Sequence, residues 1–476
     1  MIHVPILRAG RPYRSIDRVR LPDVRTGEIV AEVSQANRGL IARDLLDAPA
    51  RRRALASLRA ADLVSLCAAA GKLYATAALP VDSDSSQTPD EYLGALSSTT
   101  GMPLSLCRAN AEKIRYVLDH MDEVLAGWTR GLPLSVLDEG WGREDERRVA
   151  YRAQTEVLGA VLPNNSPGVH SLWIPAFALK VPLVLKPGRQ EPWTPLRVAR
   201  ALMAAGAPPE AFCFYPSDHA GAAEILLRSG RSILFGDGAT LRAWQDDPRV
   251  QLHGPGWSKV ILDERAASDW RAHLDLMVAS IADNGGRSCL NTSAVWTPSN
   301  GRDIAQGVAE RLAQIDALPL DDPKARLAAF SDPGQARRLN DFIDAQLQAP
   351  GAVDVSARLR GPQRLVEAGG CTFLRPTVIW CEDPEHPLAS SEYLFPFAAV
   401  VEVPRSEMTA RLGPTLVATA LTDDPGFRRD LLDCPAIDRL NLGSVPTSRV
   451  SWDQPHEGNL FEHLYRQRAV QIGGAA

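Results

Sequence analysis

The sequence predicts an α/β protein built around a parallel sheet, and three observations support this prediction. From Glu156 onward, short apolar runs that suit strands alternate with runs of about ten residues that suit helices, the pattern of strands joined by helical crossovers. The alternation begins again after Ala266, which indicates a second α/β domain. A chain of 476 residues also exceeds one ordinary hydrophobic core, so two or three domains are expected.

Smaller elements precede this region. Residues 4–33 alternate short apolar runs with turn signals, which indicates a small β-element, and residues 37–77 carry leucines at mostly helical spacing. Another helix is predicted to begin at Thr88-Pro89-Asp90-Glu91, which combines an N-cap, a first-turn proline and acids that suit the helix dipole. Charged residues at 138–148 precede a short apolar strand at 149–154, so we expect an exposed extension there.

Composition excludes several classes of protein. A net charge of −5 and a pI near 6.0 give no concentrated basic surface, so no nucleic-acid partner is expected. No uncharged apolar stretch approaches the about 20 residues of a membrane-spanning helix, and the start of the chain lacks a signal-peptide pattern. The seven cysteines are scattered without a CxxC pair, which argues against disulfides and against a metal site. We therefore predict a protein of the reducing cytoplasm.

The most informative stretch is Asn284-Gly285-Gly286-Arg287-Ser288-Cys289-Leu290-Asn291-Thr292. Two glycines and an arginine place Cys289 on a tight loop before an apolar strand, where backbone amides can lower the pKa of a thiol and expose its sulfur. Cys289 is therefore a candidate nucleophile. The alternative is that Cys289 is a small buried hydrophobic residue, which is common for a single cysteine in a loop.

Four other segments place polar groups or glycines where predicted strands end. Asn165 follows one strand and could donate a hydrogen bond to an oxyanion, and Lys186 ends the next strand, where open α/β sheets bind ligands. Gly236 and Gly238 could let a dinucleotide approach the backbone, and Glu392 could bind ribose hydroxyls. Each also has a structural explanation, as a helix cap, a solvated charge or a turn.

The order and spacing of these segments resemble the aldehyde dehydrogenase superfamily over residues 5–465. PNNSP at 163–167 is similar to that family's Pro-Trp-Asn-Phe-Pro segment, and LKPG at 185–188 is similar to its Lys-Pro-Ser-Glu segment. The resemblance implies an oxyanion donor at Asn165, a nucleophile at Cys289 and ribose ligands at Lys186 and Glu392. It also implies cofactor contacts at the remaining motif positions, Gly188, Arg189, Gly236, Gly238 and Phe395.

The same resemblance implies an architecture and a cofactor. Residues 1–138 and 156–258 would form a Rossmann-type domain that binds NAD or NADP, and residues 259–446 a catalytic domain. Residues 139–155 and 447–476 would form a β-extension that joins subunits into a homodimer or homotetramer. The substrate would be a small aldehyde or an acyl thioester.

One departure from the family concerns the general base. Hydrolytic members carry a glutamate before a Leu-Gly-Gly segment, whereas this chain has His253, 36 residues before Cys289, and no carboxylate between Leu252 and Lys259. Loss of the base fits an acyl-CoA reductase branch, because the thiol of coenzyme A loses its proton far more easily than water. The chain is also similar to the fatty acyl-CoA reductases of bacterial luminescence around Asn165, His253 and Cys289. Coenzyme A is therefore predicted as co-substrate.

Three alternatives stay open. His253 could itself serve as the base for hydrolysis to a carboxylic acid, since histidine has a suitable intrinsic pKa. The chain could instead be a catalytically silent assembly subunit. Arg189 stands where NAD-using members have an acid, and it either pairs with the 2′-phosphate of NADP or points to solvent.

Overall fold

A computed structural model of the protein describes residues 1–144, 147–361, 363–471 and 473. Its largest elements are two seven-stranded sheets, which confirm the predicted α/β class. The first sheet contains, in spatial order, Val250–His253, Arg231–Phe235, Leu158–Val161, Leu183–Lys186, Phe212–Phe214, Ile6–Arg8 and Arg11–Tyr13. The first five of these strands are parallel. Ile6–Arg8 pairs antiparallel with both of its neighbours, Phe212–Phe214 and Arg11–Tyr13.

Buried apolar residues explain why these segments form central strands. Every residue of Leu158–Val161 is buried, and so are Leu183, Val184 and Leu185 of the adjacent strand. Strands covered on both faces are expected to be continuously apolar, because helices pack against each face. Helix Trp193–Ala204 is buried along nearly its whole length and packs in the same core.

The second sheet contains, in spatial order, Ala352–Asp354, Thr377–Cys381, Phe397–Glu402, Thr292–Thr297, Ser258–Leu262, Thr415–Leu421 and Ile437–Leu442. All of its strands are parallel except Ala352–Asp354. Separate apolar clusters contain alternate residues of its central strands, such as Val260 in one cluster and Ile261 in another. The sheet is therefore covered on both faces, as expected for a parallel α/β sheet.

A three-stranded antiparallel sheet contains strands from both segments that were assigned to the extension. Arg147–Ala153 pairs with Trp141–Glu144 on one side and with Tyr465–Arg468, near the end of the chain, on the other. The smaller sheets contain Ile2–Val4, Ile29–Ser34 and Arg18–Pro22; Leu79–Asp82 and Ser85–Gln87; and Leu365–Ala368 and Cys371–Leu374.

The helices surround these sheets. The α-helices are Arg38–Asp44, Ala48–Ala56, Ala60–Thr76, Pro89–Thr100, Leu104–Asp119, Met121–Trp128, Ser135–Glu139, Pro175–Ala178, Trp193–Ala204, His219–Arg228, Gly238–Arg242, Glu264–Ser268, Leu274–Ala282, Gly301–Leu312, Pro333–Gln346, Ala357–Arg360, Arg405–Arg411, Pro425–Leu432 and Leu460–Leu464. Short 3₁₀ turns are Leu45–Asp47, Pro167–Leu172, Pro209–Ala211, Trp270–His273, Asp283–Gly286 and Pro387–Ser390. Thr88 caps helix Pro89–Thr100 in a capping box with Glu91, as predicted.

The helical zone predicted at 37–77 is broken rather than continuous. A turn divides its first part, and Arg38–Ala56 meets Ala60–Thr76 at a bend of 93°. Among the described residues, no single helix has the length and apolarity needed to cross a membrane, and only this bent pair passes such a test jointly.

Candidate active site

The parallel strands of the first sheet end at one crevice, at the point where the strand order reverses. Leu158–Val161 lies between Leu183–Lys186 on one side and Arg231–Phe235 on the other. The connections that follow these two neighbours leave toward opposite edges of the sheet. Open α/β sheets bind ligands at such a switch point, beyond the carboxyl ends of the strands.

A cavity of about 1410 Å³ fills this crevice and reaches the loops of the second sheet. Eight of the ten residues predicted from the sequence line its wall: Asn165, Lys186, Gly188, Arg189, Gly236, His253, Cys289 and Glu392. The other two, Gly238 and Phe395, are not part of that wall. The structure therefore brings most of the predicted residues together, although they come from distant parts of the chain.

Cys289 lies half-buried on a turn between the 3₁₀ turn Asp283–Gly286 and strand Thr292–Thr297. Close backbone packing holds this turn. A Cβ atom at Gly256 would overlap the carbonyl oxygen of Cys289, and a Cβ atom at Gly286 would overlap the backbone of Pro396. The Ser258 hydroxyl also donates to the Cys289 carbonyl oxygen at 2.9 Å. The loop is therefore rigidly placed against two neighbouring loops.

The expectation that the loop lowers the thiol pKa is wrong for the free protein. Burial raises the pKa of the Cys289 thiol well above its ordinary value, and the negative charges of Glu457 and Glu392 raise it further. The other six cysteines are buried, whereas Cys289 is partly exposed to the cavity. Cys289 is therefore accessible but protonated at rest, and its use as a nucleophile requires a group that takes its proton.

Asn165 shares the cavity with Cys289. Its side-chain amide donates to the carbonyl oxygen of Arg287 at 3.0 Å, while its own carbonyl oxygen is buried without a hydrogen-bond partner among the described residues. One amide hydrogen is thus engaged, and the second is available to another acceptor. This geometry is compatible with the predicted oxyanion donor, and it orients the amide toward the loop that carries the thiol.

His253 ends strand Val250–His253 and pairs with a carboxylate that the sequence did not predict. Its Nδ1 contacts a side-chain oxygen of Glu457, and its ring stacks on Phe235 with centroids 4.4 Å apart. The Nε2 atom is buried without a partner among the described residues. Residues 447–476 were predicted as part of the extension, but Glu457 lines the cavity instead, because the chain crosses the site before it reaches strand Tyr465–Arg468.

Glu392 faces the loop beside Cys289. Its two oxygens accept hydrogen bonds from the backbone amides of Gly256, at 3.1 Å, and Trp257, at 2.5 Å. Burial raises the pKa of Glu392 to about 7, although these two hydrogen bonds and Lys259 oppose the rise. Glu392 therefore holds the 256–257 turn in this structure, and it lines the cavity where a ribose was predicted to bind.

Two of the residues predicted as cofactor contacts do not line the cavity. Phe395 is 1% exposed and packs against Tyr393 and Phe397 in the core of the second domain, while Leu394 lines the cavity at 39% exposure. Tyr393 also lines the cavity, so the wall here is formed by the two residues that precede Phe395. Gly238 begins helix Gly238–Arg242, and no other part of the described protein lies within 4 Å of a Cβ atom placed there.

The end of the cavity far from Cys289 is built differently. A Cβ atom at Gly188 would lie 2.5 Å from the carbonyl oxygen of Pro163, so glycine allows two loops to meet at the floor of the cavity. Burial lowers the pKa of Lys186, against the attraction of Asp218. Neither Lys186 nor the exposed Arg189 has a side-chain hydrogen bond or ion pair within the described residues. Two unpaired cations therefore face this end of the cavity.

The polar residues that line the cavity and that sequence reasoning did not single out include Glu457, Gln335 and Arg338. Glu457 stands in a segment without a motif, and 204 residues separate it from His253. Gln335 and Arg338 lie on helix Pro333–Gln346, whose start is marked by the N-cap Asp332 followed by Pro333. The capping signal predicts that helix, but no local signal predicts that its first turns face the cavity.

A dinucleotide-type crevice that opens on a half-buried cysteine defines the class of protein, and comparisons with known proteins give the family. Residues 86–412 match the aldehyde dehydrogenase family, and the chain belongs to it. The chain is 29% identical over 226 residues to phenylacetaldehyde dehydrogenase of Pseudomonas fluorescens, covering 44% of this chain and 41% of that protein. It is 25% identical over 275 residues to succinate semialdehyde dehydrogenase of Acinetobacter baylyi, covering 54% and 53%.

The chain thus spans about half the length of the curated relatives that it matches. A solved structure of indole-3-acetaldehyde dehydrogenase from P. syringae, in complex with NAD+ and IAA, superposes with a TM-score of 0.78 at 16% identity. That alignment covers 98% of this chain and 96% of the other. At such low identity the similarity shows the fold, and it extends over the whole molecule.

We expect Gly286→Ala to destabilise the protein more than Gly413→Ala. Both glycines have a positive φ, +70° and +64°, so both variants lose about 1–2 kcal/mol to backbone strain. Only the Gly286 variant also collides with backbone atoms, which adds about 1–3 kcal/mol. Urea unfolding followed by tryptophan fluorescence measures both. Equal losses would show that the loops are not packed as described.

We expect the rate of alkylation of Cys289 by iodoacetamide to keep rising with pH above the pKa of an ordinary exposed thiol, where the rate for such a thiol becomes constant. The reason is that the thiolate reacts and the pKa of Cys289 is raised. The Glu457→Gln variant removes a negative charge that raises the thiol pKa, so alkylation at pH 8 becomes faster, about tenfold for each unit by which the pKa falls. Glu462→Gln, which changes an exposed carboxylate in the same segment, is the control. A rate that levels off at neutral pH in the unaltered protein contradicts this expectation.

Proposed function

We propose that the protein is an NAD(P)-dependent aldehyde dehydrogenase that acts through a covalent intermediate on Cys289. The observation that carries this proposal is one cavity that joins a half-buried thiol to a crevice with unpaired cations at the switch point of a doubly wound sheet. Membership of the aldehyde dehydrogenase family supports the same reaction. The site residues keep the roles predicted for them, except Gly238 and Phe395.

In the first step the sulfur of Cys289 adds to the aldehyde carbon and forms a thiohemiacetal. The carbonyl oxygen becomes an oxyanion, which the free amide hydrogen of Asn165 and the backbone amide of Cys289 can bind. Because the thiol is protonated at rest, its proton passes to a base in the cavity, and His253 has an unpartnered Nε2 atom for that purpose. Oxidation of the thiohemiacetal leaves a thioester on Cys289.

The far end of the cavity fits a nicotinamide dinucleotide. Lys186 and Arg189 are unpaired donors that suit ribose and phosphate oxygens, and Gly188 lets the neighbouring loops meet without a side chain in the way. Gln335, Arg338 and Glu392 line the same cavity. When bound, the nicotinamide supplies the acceptor for the hydride that leaves the thiohemiacetal carbon.

Two acceptors for the acyl group are compatible with this chemistry. Coenzyme A, predicted from the sequence, is favoured because no carboxylate lies between Leu252 and Lys259, and a thiol acceptor needs little help from a base. With coenzyme A the reaction interconverts an aldehyde and an acyl-CoA. Water is favoured by the contact between His253 and Glu457, which supplies a carboxylate from another part of the chain.

We also propose the division into domains predicted from the sequence, with one change. Residues 447–464 belong with the catalytic cavity, since Glu457 lines it, and only strand Tyr465–Arg468 joins the extension. The three-stranded extension projects a sheet edge that suits pairing of two subunits, in a homodimer or homotetramer.

We expect the purified protein to reduce NAD or NADP with aldehydes such as phenylacetaldehyde and succinate semialdehyde. The Cys289→Ala variant should lose at least about 10³-fold in turnover, because the nucleophile is gone, while it still binds the cofactor. Cys434→Ser, which alters a buried thiol outside the cavity, serves as the control. Assays with and without coenzyme A, with the product identified as thioester or free acid, determine the acceptor. Failure to bind either nicotinamide cofactor would indicate a silent assembly subunit.

We expect Arg189 to favour NADP, because an exposed unpaired guanidinium at the cavity wall can bind a 2′-phosphate. Arg189→Glu should raise KM for NADP at least tenfold and leave KM for NAD unchanged or lower. Arg53→Glu makes the same change of charge on an exposed helix away from the cavity and should alter neither value. A strong preference for NAD that Arg189→Glu does not affect would contradict this role.

A further inference from the structure

We propose that Glu457 is a positioning residue that makes His253 the base for hydrolysis of the acyl group, so that water is the acceptor. This inference rests on the proposed function. In this proposal Glu457, near the other end of the chain, supplies the carboxylate that segment 252–259 lacks. The expected product is a carboxylic acid.

The first support is the geometry of the pair. The Glu457 carboxylate contacts Nδ1 of His253, and both side chains are nearly buried, with 10% and 3% of their surface exposed. A carboxylate accepts a hydrogen bond but cannot donate one when ionised, so the proton of neutral His253 lies on Nδ1. The Nε2 atom then carries a lone pair, and it is the atom that the structure leaves buried without a partner. A buried unsatisfied acceptor of this kind suits a proton-accepting role.

The second support is the backbone that holds Glu457. Its φ is +50°, in the left-handed region that residues other than glycine rarely adopt, and Gly458 follows with φ +90°. The Gln251 amide, two residues before His253, donates to the Glu457 carbonyl oxygen. Such a conformation costs about 1–3 kcal/mol and persists where surrounding contacts impose it, often at functional sites. Glu457 is therefore fixed against strand Val250–His253 at two points.

The third support is the place of Glu457 between two cavities. A second cavity of about 450 Å³ adjoins the main one, and Gly254, Pro255 and Glu457 line both. Asp438 and His463 lie on the walls of the second cavity. Glu457 therefore lines both the cavity that holds Cys289 and a second cavity with polar groups in its wall.

The electrostatic surroundings of the pair come from several elements. Burial acts to raise the pKa of Glu457, but the contact with His253 outweighs it and the pKa is lowered, while Cys289, Glu392 and Asp438 each have a pKa raised in part by Glu457. Burial lowers the pKa values of His456 and His463 to about 4, so both are neutral near pH 7. Arg439 contacts His456 at 3.3 Å. Glu457 thus remains ionised and can stabilise the cation that forms when His253 takes up a proton.

The step balances without a further reagent. His253 first releases to solvent the proton that it took from the Cys289 thiol, so that Nε2 again carries a lone pair. The oxygen of water then forms a bond to the acyl carbon of the Cys289 thioester, and Nε2 of His253 takes one proton of that water. The carbon–sulfur bond then breaks, the sulfur leaves as a thiolate, and a carboxylic acid is released. His253 afterwards returns its proton to the sulfur or to solvent. No electrons are transferred in this step, because oxidation is complete once the thioester has formed.

The test separates acylation from deacylation by rapid mixing of enzyme, aldehyde and cofactor without coenzyme A. We expect Glu457→Gln, which keeps the size but not the charge, to retain a burst of about one reduced nicotinamide per active site. Its steady-state rate should fall at least tenfold, and 2-mercaptoethanol as an alternative acceptor should restore it. Glu462→Gln, an exposed carboxylate in the same segment, should behave as the unaltered enzyme.

A double-mutant cycle with His253→Gln keeps the proposal falsifiable if one variant is poorly folded. If the two residues act as a unit, the double variant deacylates no more slowly than His253→Gln alone. The proposal is overturned if Glu457→Gln leaves the steady-state rate unchanged, if it lowers burst and steady state in equal proportion, or if the unaltered enzyme turns over only with coenzyme A. Absence of any nicotinamide reduction by the unaltered enzyme would overturn the proposed function as well.

Discussion

The site depends on the close backbone packing of three loops, and two glycines make that packing possible. Gly256 lies against the carbonyl of Cys289, and Gly286 lies against Pro396, with no room for a Cβ atom at either position. Glu392 adds two hydrogen bonds to the turn at Gly256 and Trp257. Because the loops touch through their main chains, the thiol, the carboxylate and the end of strand Val250–His253 keep fixed positions. A side chain at either glycine would separate the groups that the chemistry requires.

This packing also creates an electrostatic problem, because it brings two carboxylates near one thiol. Glu392 and Glu457 both raise the pKa of Cys289, and burial raises it further. Lys259 offsets part of this charge, with a pKa lowered by burial to about 8, and it donates to the Trp257 carbonyl at 2.8 Å. A resting thiol that is protonated is protected from oxidation, since the thiolate is the reactive form. Reactivity then depends on proton transfer within the cavity rather than on a thiolate that is always present.

Much of this arrangement could be predicted from the sequence, for a physical reason. Parallel strands all end at one edge of a sheet, so motifs that follow strands, such as Asn165, Lys186 and His253, are expected to meet there. Phe395 is buried in the core of the second domain instead of lining the cavity, and no pattern in the sequence distinguishes it from its cavity-lining neighbour Leu394. Glu457 could not be predicted, since its role depends on a contact across 204 residues with no local pattern to mark it. The predicted lowering of the thiol pKa failed because burial, which the sequence does not show, outweighs nearby amides.

The two ends of the cavity are built from different parts of the chain. The end that carries the unpaired cations and the end that carries the thiol therefore share few structural elements. The cation-lined end is built by consecutive strand ends of one sheet, with Lys186 and Gly188 held by Leu183–Lys186 and its neighbours. The thiol end is assembled from loops of both sheets together with residues near the end of the chain, including Glu457. Changes in the second set can therefore alter the acyl acceptor without altering the first. Within the described residues, the carboxylate that contacts His253 at the end of strand Val250–His253 comes from a segment 204 residues farther along the chain.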